Sequence, residues 1–229
     1  MIVMPHGGPQ TRDVWGYDPD VQFLANRGYA VLQVNYRGSS GFGQKFLDIG
    51  KRHYGDAAQQ DITDGVRWAI KQGIADKDRI GIMGGSFGGY SALMGLILEP
   101  EVYKCGISIA GVSDWIELIK DKAEMFPESA GPNVAMFGHP TKDAAALKRI
   151  SPVYMVDSIK APILLIHGRD DPAVPFSQAK AMIRALKKAG KNYEFMSKYN
   201  EQHGLRSFKN RVEMYNRIEK FLQKHLPAD

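Results

Sequence analysis

Apolar runs of strand length alternate with amphipathic runs of helix length along almost the whole chain, and this constrains the fold more than any other feature. Parallel neighbouring strands need a crossover of roughly a dozen residues or more, which a helix fills. The runs predict strands near residues 2–4, 29–35, 79–83, 105–110, 163–167 and 193–198. Helices are predicted near 20–27, 57–72, 87–98, 176–189 and 208–225. In the second of these, Ile62, Val66, Ala69 and Ile70 return to one face with the period of a helix. The expectation is a single α/β domain over residues 1–229, a mostly parallel sheet flanked by helices.

Residues 115–154 are the least regular, broken by Pro127, Gly131, Pro132, Gly138, Pro140 and Pro152. An insertion between two core strands of such a sheet covers the site at the strand ends. This segment is therefore expected to be cap-like and to face the substrate.

A net charge of +5 raises the question of a nucleic-acid partner. The placement of the charge argues against one. Lys180, Arg184, Lys187, Lys188 and Lys191 recur at helical spacing opposite Phe176, Ala179, Ile183 and Leu186, which is the solvated face of an amphipathic helix. No apolar stretch is long enough for a membrane span, and the opening residues do not read as a signal peptide. The single cysteine, Cys105, allows no intrachain disulfide, which favours a reducing, cytoplasmic setting.

Between the run at 79–83 and the helix at 87–98 stands Gly84-Gly85-Ser86-Phe87-Gly88. It reads as a nucleophile elbow, in which a strand turns sharply into a helix and the residue at the tip is held in a strained conformation, clear of the sheet.

A serine hydroxyl needs an adjacent base, itself oriented by a third group. On a sheet of this kind the three follow in the order serine, acid, histidine. His6 and His53 precede Ser86, and His139 and His167 precede the best acid. His225 falls in the last turn of the terminal helix and reads as a partner of the helix dipole. His203, in the loop between the last strand and the last helix, is the expected base. The acid is expected after the run at 163–167, where Asp170 and Asp171 compete. The one left over is expected to make a local turn hydrogen bond before Pro172.

An oxyanion also needs backbone donors. Phe87 N–H supplies one, and Pro5-His6-Gly7-Gly8-Pro9 after the opening strand offers the other. No cofactor or metal is called for, since no histidine and carboxylate cluster has zinc spacing.

Four stretches together resemble the catalytic domain of the prolyl oligopeptidase family, nearest its acylaminoacyl-peptidase and dipeptidyl-peptidase branches. They are His6-Gly7-Gly8-Pro9, the run from Asn35 to Gly43, the run from Gly84 to Tyr90, and the run from His167 to Val174. The resemblance implies an α/β-hydrolase fold. It selects Asp171 over Asp170, as the fifth residue of a His-Gly-x-x-Asp-x-x-Val run, and so implies a triad of Ser86, Asp171 and His203. It places Phe87 and Gly8, or His6, around the oxyanion. It also implies a substrate pocket formed by Val112, Trp115, Leu118 and Val174. Where a proline-selective relative carries a tyrosine this chain has Leu118, followed four residues later by Lys122, so a general apolar or aromatic acyl pocket is expected. Arg37 is read as a partner of Asp61 or as a plain surface arginine.

The implied function is hydrolysis of short peptides, acylated amino acids or small acyl esters through an acyl-enzyme. A broad carboxylesterase and a catalytically silent interaction module are the competing readings. Relatives carry an N-terminal β-propeller and two further strands with no counterpart here. The resulting expectation is either a fragment of a longer gene product or a homodimer paired along a bared edge strand at residues 29–35.

Overall fold

The computed structural model describes residues 1–228. Six strands form one sheet in the order β2-β1-β3-β4-β5-β6, with every neighbouring pair parallel. They are β1 (Ile2–Val3), β2 (Val31–Leu32), β3 (Gly81–Gly85), β4 (Cys105–Ile109), β5 (Ile163–Gly168) and β6 (Tyr193–Lys198). Successive strand side chains point to opposite faces, so two cores form. Val3, Ile82, Ile163 and Leu165 join one, under α3 (Ala57–Lys71), α4 (Phe87–Leu98) and α8 (Phe176–Lys188). Ile2, Met83, Leu164 and Ile166 join the other, under α1 (Pro19–Asn26) and α9 (Phe208–His225).

The sheet edge lies where residues 29–35 were expected to place it, but only Val31 and Leu32 are in the ladder. The strand is short because its one neighbour, β1, is itself two residues long, and because the Asn35 side chain is bonded to the main chain of Asp13 on both sides. The third strand is displaced from the expected 79–83 to Gly81–Gly85, so pairing with β4 continues up to the elbow.

The broken segment at 115–154 is more regular than expected. It holds α5 (Trp115–Met125), α6 (Ala130–Phe137) and α7 (Ala144–Arg149), and a further short helix, α2 (Gln44–Asp48), precedes α3. Pro127 opens a 3₁₀ turn, and Pro132 falls in the first turn of α6. In those positions the missing N–H has no partner to lose. Asp114 caps α5 by accepting from Ile116 N and Glu117 N. Trp115, Ile116, Leu118 and Ile119 bury one face of that helix. No helix of the described residues is long and apolar enough to cross a membrane.

Candidate active site

All the loops that carry the expected site residues leave the sheet at the carboxyl ends of its strands, where parallel α/β sheets bind their ligands. Ser86 directly follows β3, with φ 58° and ψ −121°. An L-residue adopts that conformation only when its surroundings over-determine it. Here Ser86 N–H donates to Ile109 O on β4 at 2.8 Å, and Ser86 O accepts from Tyr90 N in the first turn of α4 at 3.0 Å. The strand and helix can pass this closely because Gly84 has no Cβ; one built there would lie 2.5 Å from the backbone of Gly88.

Asp171 lies in the loop after β5, 5% exposed, and His203 in the loop after β6. Asp171 Oδ2 accepts from His203 Nδ1 at 2.7 Å, while Oδ1 accepts from Ala173 N at 2.8 Å and Val174 N at 2.9 Å. Burial alone pushes this carboxyl up. The hydrogen bonds from His203 and Val174 N–H outweigh burial and hold it below the ordinary aspartate value. His167 Nε2 stands 3.5 Å from the same oxygen and is bonded to Val174 O at 2.8 Å. Asp170 is exposed, and its carboxylate makes no hydrogen bond among the described residues. The local turn bond expected of the leftover aspartate is therefore made by Asp171 itself, in addition to its bond with the histidine.

Ser86 and the acid loop line one cavity of about 460 Å³, walled by Gly8, Phe87, Val112, Trp115, Leu118, Phe137, Ala173 and Val174 among others. All four expected pocket residues are there, together with Phe87 and Gly8. Trp115 stacks on Phe137 with ring centroids 3.9 Å apart, so α5 and α6 together supply an aromatic wall. Among the described residues no hydrogen bond joins Ser86 Oγ to the imidazole. Catalytic bonds of this type commonly close only when substrate is bound.

The His6 ring is buried and turned into the loop. It stacks on Tyr36 at 4.2 Å, and Nε2 lies 2.8 Å from Ser39 Oγ and Nδ1 2.7 Å from Gly7 O. Tyr36 OH donates to His6 O at 2.9 Å. Burial pushes the His6 imidazole below its ordinary value, against the bond to Gly7 O. The ring thus fixes the Gly7-Gly8 turn; Gly8 stands at φ 112° beside the cavity. Arg37 does pair with Asp61, through Nε at 2.7 Å and Nη2 at 2.5 Å. His225, expected as a partner of the helix dipole, packs on Phe221 at 4.8 Å, and burial followed by Lys224 lowers its pKa. Among the described residues no group of three or more His, Cys, Asp or Glu side chains is gathered to hold a metal ion.

One functional neighbour was missed in the sequence. Glu201, 2% exposed and two residues before His203, accepts from Arg206 N at 2.7 Å, Ser207 N at 3.1 Å and Asn210 Nδ2 at 2.5 Å. It ties the histidine loop to the start of α9. A glutamate beside the base, followed by Ser207 ahead of a helix, was the available signal.

A strained serine at an elbow beside a largely apolar cavity, and a buried carboxylate bonded to an imidazole on loops at the same end of a parallel sheet, go with one class of fold: the α/β-hydrolase domain. The chain belongs to the prolyl oligopeptidase family, whose sequence profile matches residues 15–229. It is 36% identical to dipeptidyl peptidase family member 6 of Caenorhabditis elegans, over 100% of this chain and 31% of that protein. The solved puromycin-hydrolyzing peptidase of Mycobacterium tuberculosis superposes with a TM-score of 0.92 at 28% identity, covering 100% of this chain and 34% of that one. The Pyrococcus horikoshii acylaminoacyl peptidase gives 0.90 at 28%, covering 99% and 37%. The chain thus spans about a third of the length of these relatives.

Proposed function

We propose that this chain is the catalytic domain of a serine peptidase that cleaves short peptides and acylated amino acids through an acyl-enzyme. The observation that carries the reading is the 2.7 Å bond between buried Asp171 and His203, on loops at the same end of the sheet as a serine held at positive φ. Ser86 Oγ attacks the carbonyl, and His203 Nε2 takes its proton and returns it to the leaving amine. Asp171 fixes the Nδ1–H tautomer and stabilises the imidazolium. The Phe87 and Gly8 N–H groups receive the oxyanion. The relatives named as dipeptidyl and acylaminoacyl peptidases support peptide and acyl-amino-acid substrates over simple esters.

A fluorophosphonate probe should label the protein and fail to label Ser86→Ala. Equal labelling of both would overturn the assignment, and no labelling of a folded wild type would favour a silent interaction module. Aminoacyl anilides compared with short-chain aryl esters then separate peptidase from carboxylesterase. Pairing of two copies along β2 belongs to the same reading, and sedimentation showing only monomer at micromolar concentration would remove it.

A further inference from the structure

The acyl cavity is apolar on most sides, with Val112, Trp115, Leu118, Phe137 and Val174 in its wall. Among the described residues lining it, Lys122 on α5 carries the only charge. Its half-buried side chain has partners of its own. Nζ donates to Pro172 O at 2.7 Å, in the loop that holds Asp171, and lies 5.2 Å from the centre of the Phe126 ring. Both partners are neutral, and an ammonium has three donors, so two N–H groups remain for other acceptors.

No carboxylate is paired with it among the described residues. Asp121 and Asp171 act on Lys122 only at longer range, and Asp171 already accepts from His203, Ala173 and Val174. A cation that is partly desolvated at a cavity wall and lacks a counter-ion is compensated best by an anion brought in by the ligand.

We propose that Lys122 is a specificity-determining residue that selects acyl groups with an apolar stem and a carboxylate tip, of which a glutamyl side chain is the simplest. The stem packs on Trp115 and Val174, and the carboxylate meets Nζ at the wall. This rests on the serine peptidase reading above and adds a substrate class to it. Lys122 takes no part in bond making; it acts by binding the side chain of the residue whose carbonyl Ser86 attacks.

The test compares glutamyl with glutaminyl p-nitroanilides, each offered N-acetylated and as an alanyl dipeptide. The pair is nearly isosteric and differs in charge. A hydrogen bond to a charged group corresponds to a preference of about tenfold or more in kcat/KM for the glutamyl substrate. That ratio should approach one in Lys122→Met and persist in Lys122→Arg, whatever the overall rate of each variant. In Lys122→Glu it should invert towards lysyl anilides. Since Lys122 also ties α5 to the acid loop, a second measurement avoids mutation: the glutamyl preference of the wild type should shrink as salt is raised. A wild-type ratio near one, or a ratio unmoved in Lys122→Met, overturns the proposal. Fluorophosphonate labelling separates the two levels of failure. A labelled enzyme that does not discriminate, or turns over neither anilide, overturns the Lys122 assignment alone. Loss of both label and turnover in folded protein overturns the peptidase reading and this inference with it.

Discussion

Asp171 gives His203 only one of its two oxygens. Oδ2 takes the imidazole Nδ1–H at 2.7 Å, while Oδ1 is held by the Ala173 and Val174 N–H groups. In Asp171→Asn the amide oxygen must replace Oδ1 to keep those two main-chain donors satisfied, which turns the NH₂ towards Nδ1. Two donors cannot face each other, so the imidazole is forced into the Nε2–H tautomer and loses its capacity as a base. The expected outcome is a fall in kcat of about 1,000- to 10,000-fold with the fold retained. Near-wild-type turnover in a variant with unchanged circular dichroism would refute the role given to Asp171.

Acid should weaken the fold in two stages. Burial lowers the imidazoles of His6, His167 and His225, so the unfolded chain binds their protons first. Their contribution is complete above the unfolded value of about 6.5 and is lost as pH falls from there through the folded values. Asp171 and Glu201 have folded values below their ordinary ones: burial opposes this, but the His203 bond to Asp171 and the Asn210 bond to Glu201 prevail, each helped by main-chain N–H donors. Their contribution is present above about pH 4 and lost as pH falls below it. Thermal melts from pH 8 to 3 should show Tm sagging below about 6.5 and dropping more steeply below about 4. A flat Tm down to about pH 5 would contradict the buried-histidine account.

How much of this was legible in the sequence depended on whether a feature is set locally or by a partner. Helices α4 and α9 and strand β6 occupy the residues the sequence predicts: α9 carries its own apolar face, and α4 is an apolar run buried almost all round directly after the elbow. The short edge of β2 is set by the length of β1 and by the bonds between Asn35 and Asp13, partners that the run at 29–35 does not show by itself. Pro127 and Pro132 read as breakers because a run of letters does not show whether a proline sits within a helix or opens one. At the site, chain order and the family resemblance pointed to Ser86, Asp171 and His203, which the structure sets on the turns after β3, β5 and β6. Glu201 was passed over because its partners Arg206, Ser207 and Asn210 meet it only once the loop after β6 has folded onto the start of α9.

Glu201 should matter beyond its share of stability. Truncation in Glu201→Ala strips acceptors from Arg206 N–H, Ser207 N–H and the Asn210 amide together. A cost of about 1 to 3 kcal/mol is expected, concentrated in the loop that carries His203. Hydrogen exchange should therefore quicken at residues 202–207 while the strands stay protected, and kcat should fall further than KM rises. Uniform loosening of the whole domain would show that Glu201 has no special hold on the base.

The turn at Gly8 leaves no room for a side chain. At φ 112° a Cβ would lie 2.8 Å from Gln10 N and 2.9 Å from Thr11 N, so Gly8→Ala must move the very main chain that faces Ser86. If Gly8 N–H is the second oxyanion donor, turnover drops by about 100- to 1,000-fold, with the larger share in kcat. Steady-state kinetics on one aryl ester suffices to check this, and an unchanged kcat would place the second donor elsewhere.

Arg37 and Asp61 should not contribute equally although they form one pair. Asp61 accepts the guanidinium, and its Oδ2 also accepts the main-chain N–H of Arg37 at 2.8 Å. The side chains are 36% and 24% exposed, so the ionic part alone is worth about 0.2 to 1 kcal/mol. Arg37→Ala removes that part only. Asp61→Ala removes it and also leaves a main-chain donor without its acceptor, at a further cost of about 1 kcal/mol. The segment held in this way leads to Ser39, whose hydroxyl meets His6 Nε2, so the heavier loss should also slow turnover by disturbing the Gly7-Gly8 turn. Urea denaturation of the two single variants and the double variant provides the ranking. The double variant should match Asp61→Ala, because once the acceptor is gone Arg37 has nothing left to lose at this site. Arg37→Ala proving the more damaging change would mean that the ion pair, and not the main-chain bond, holds the loop.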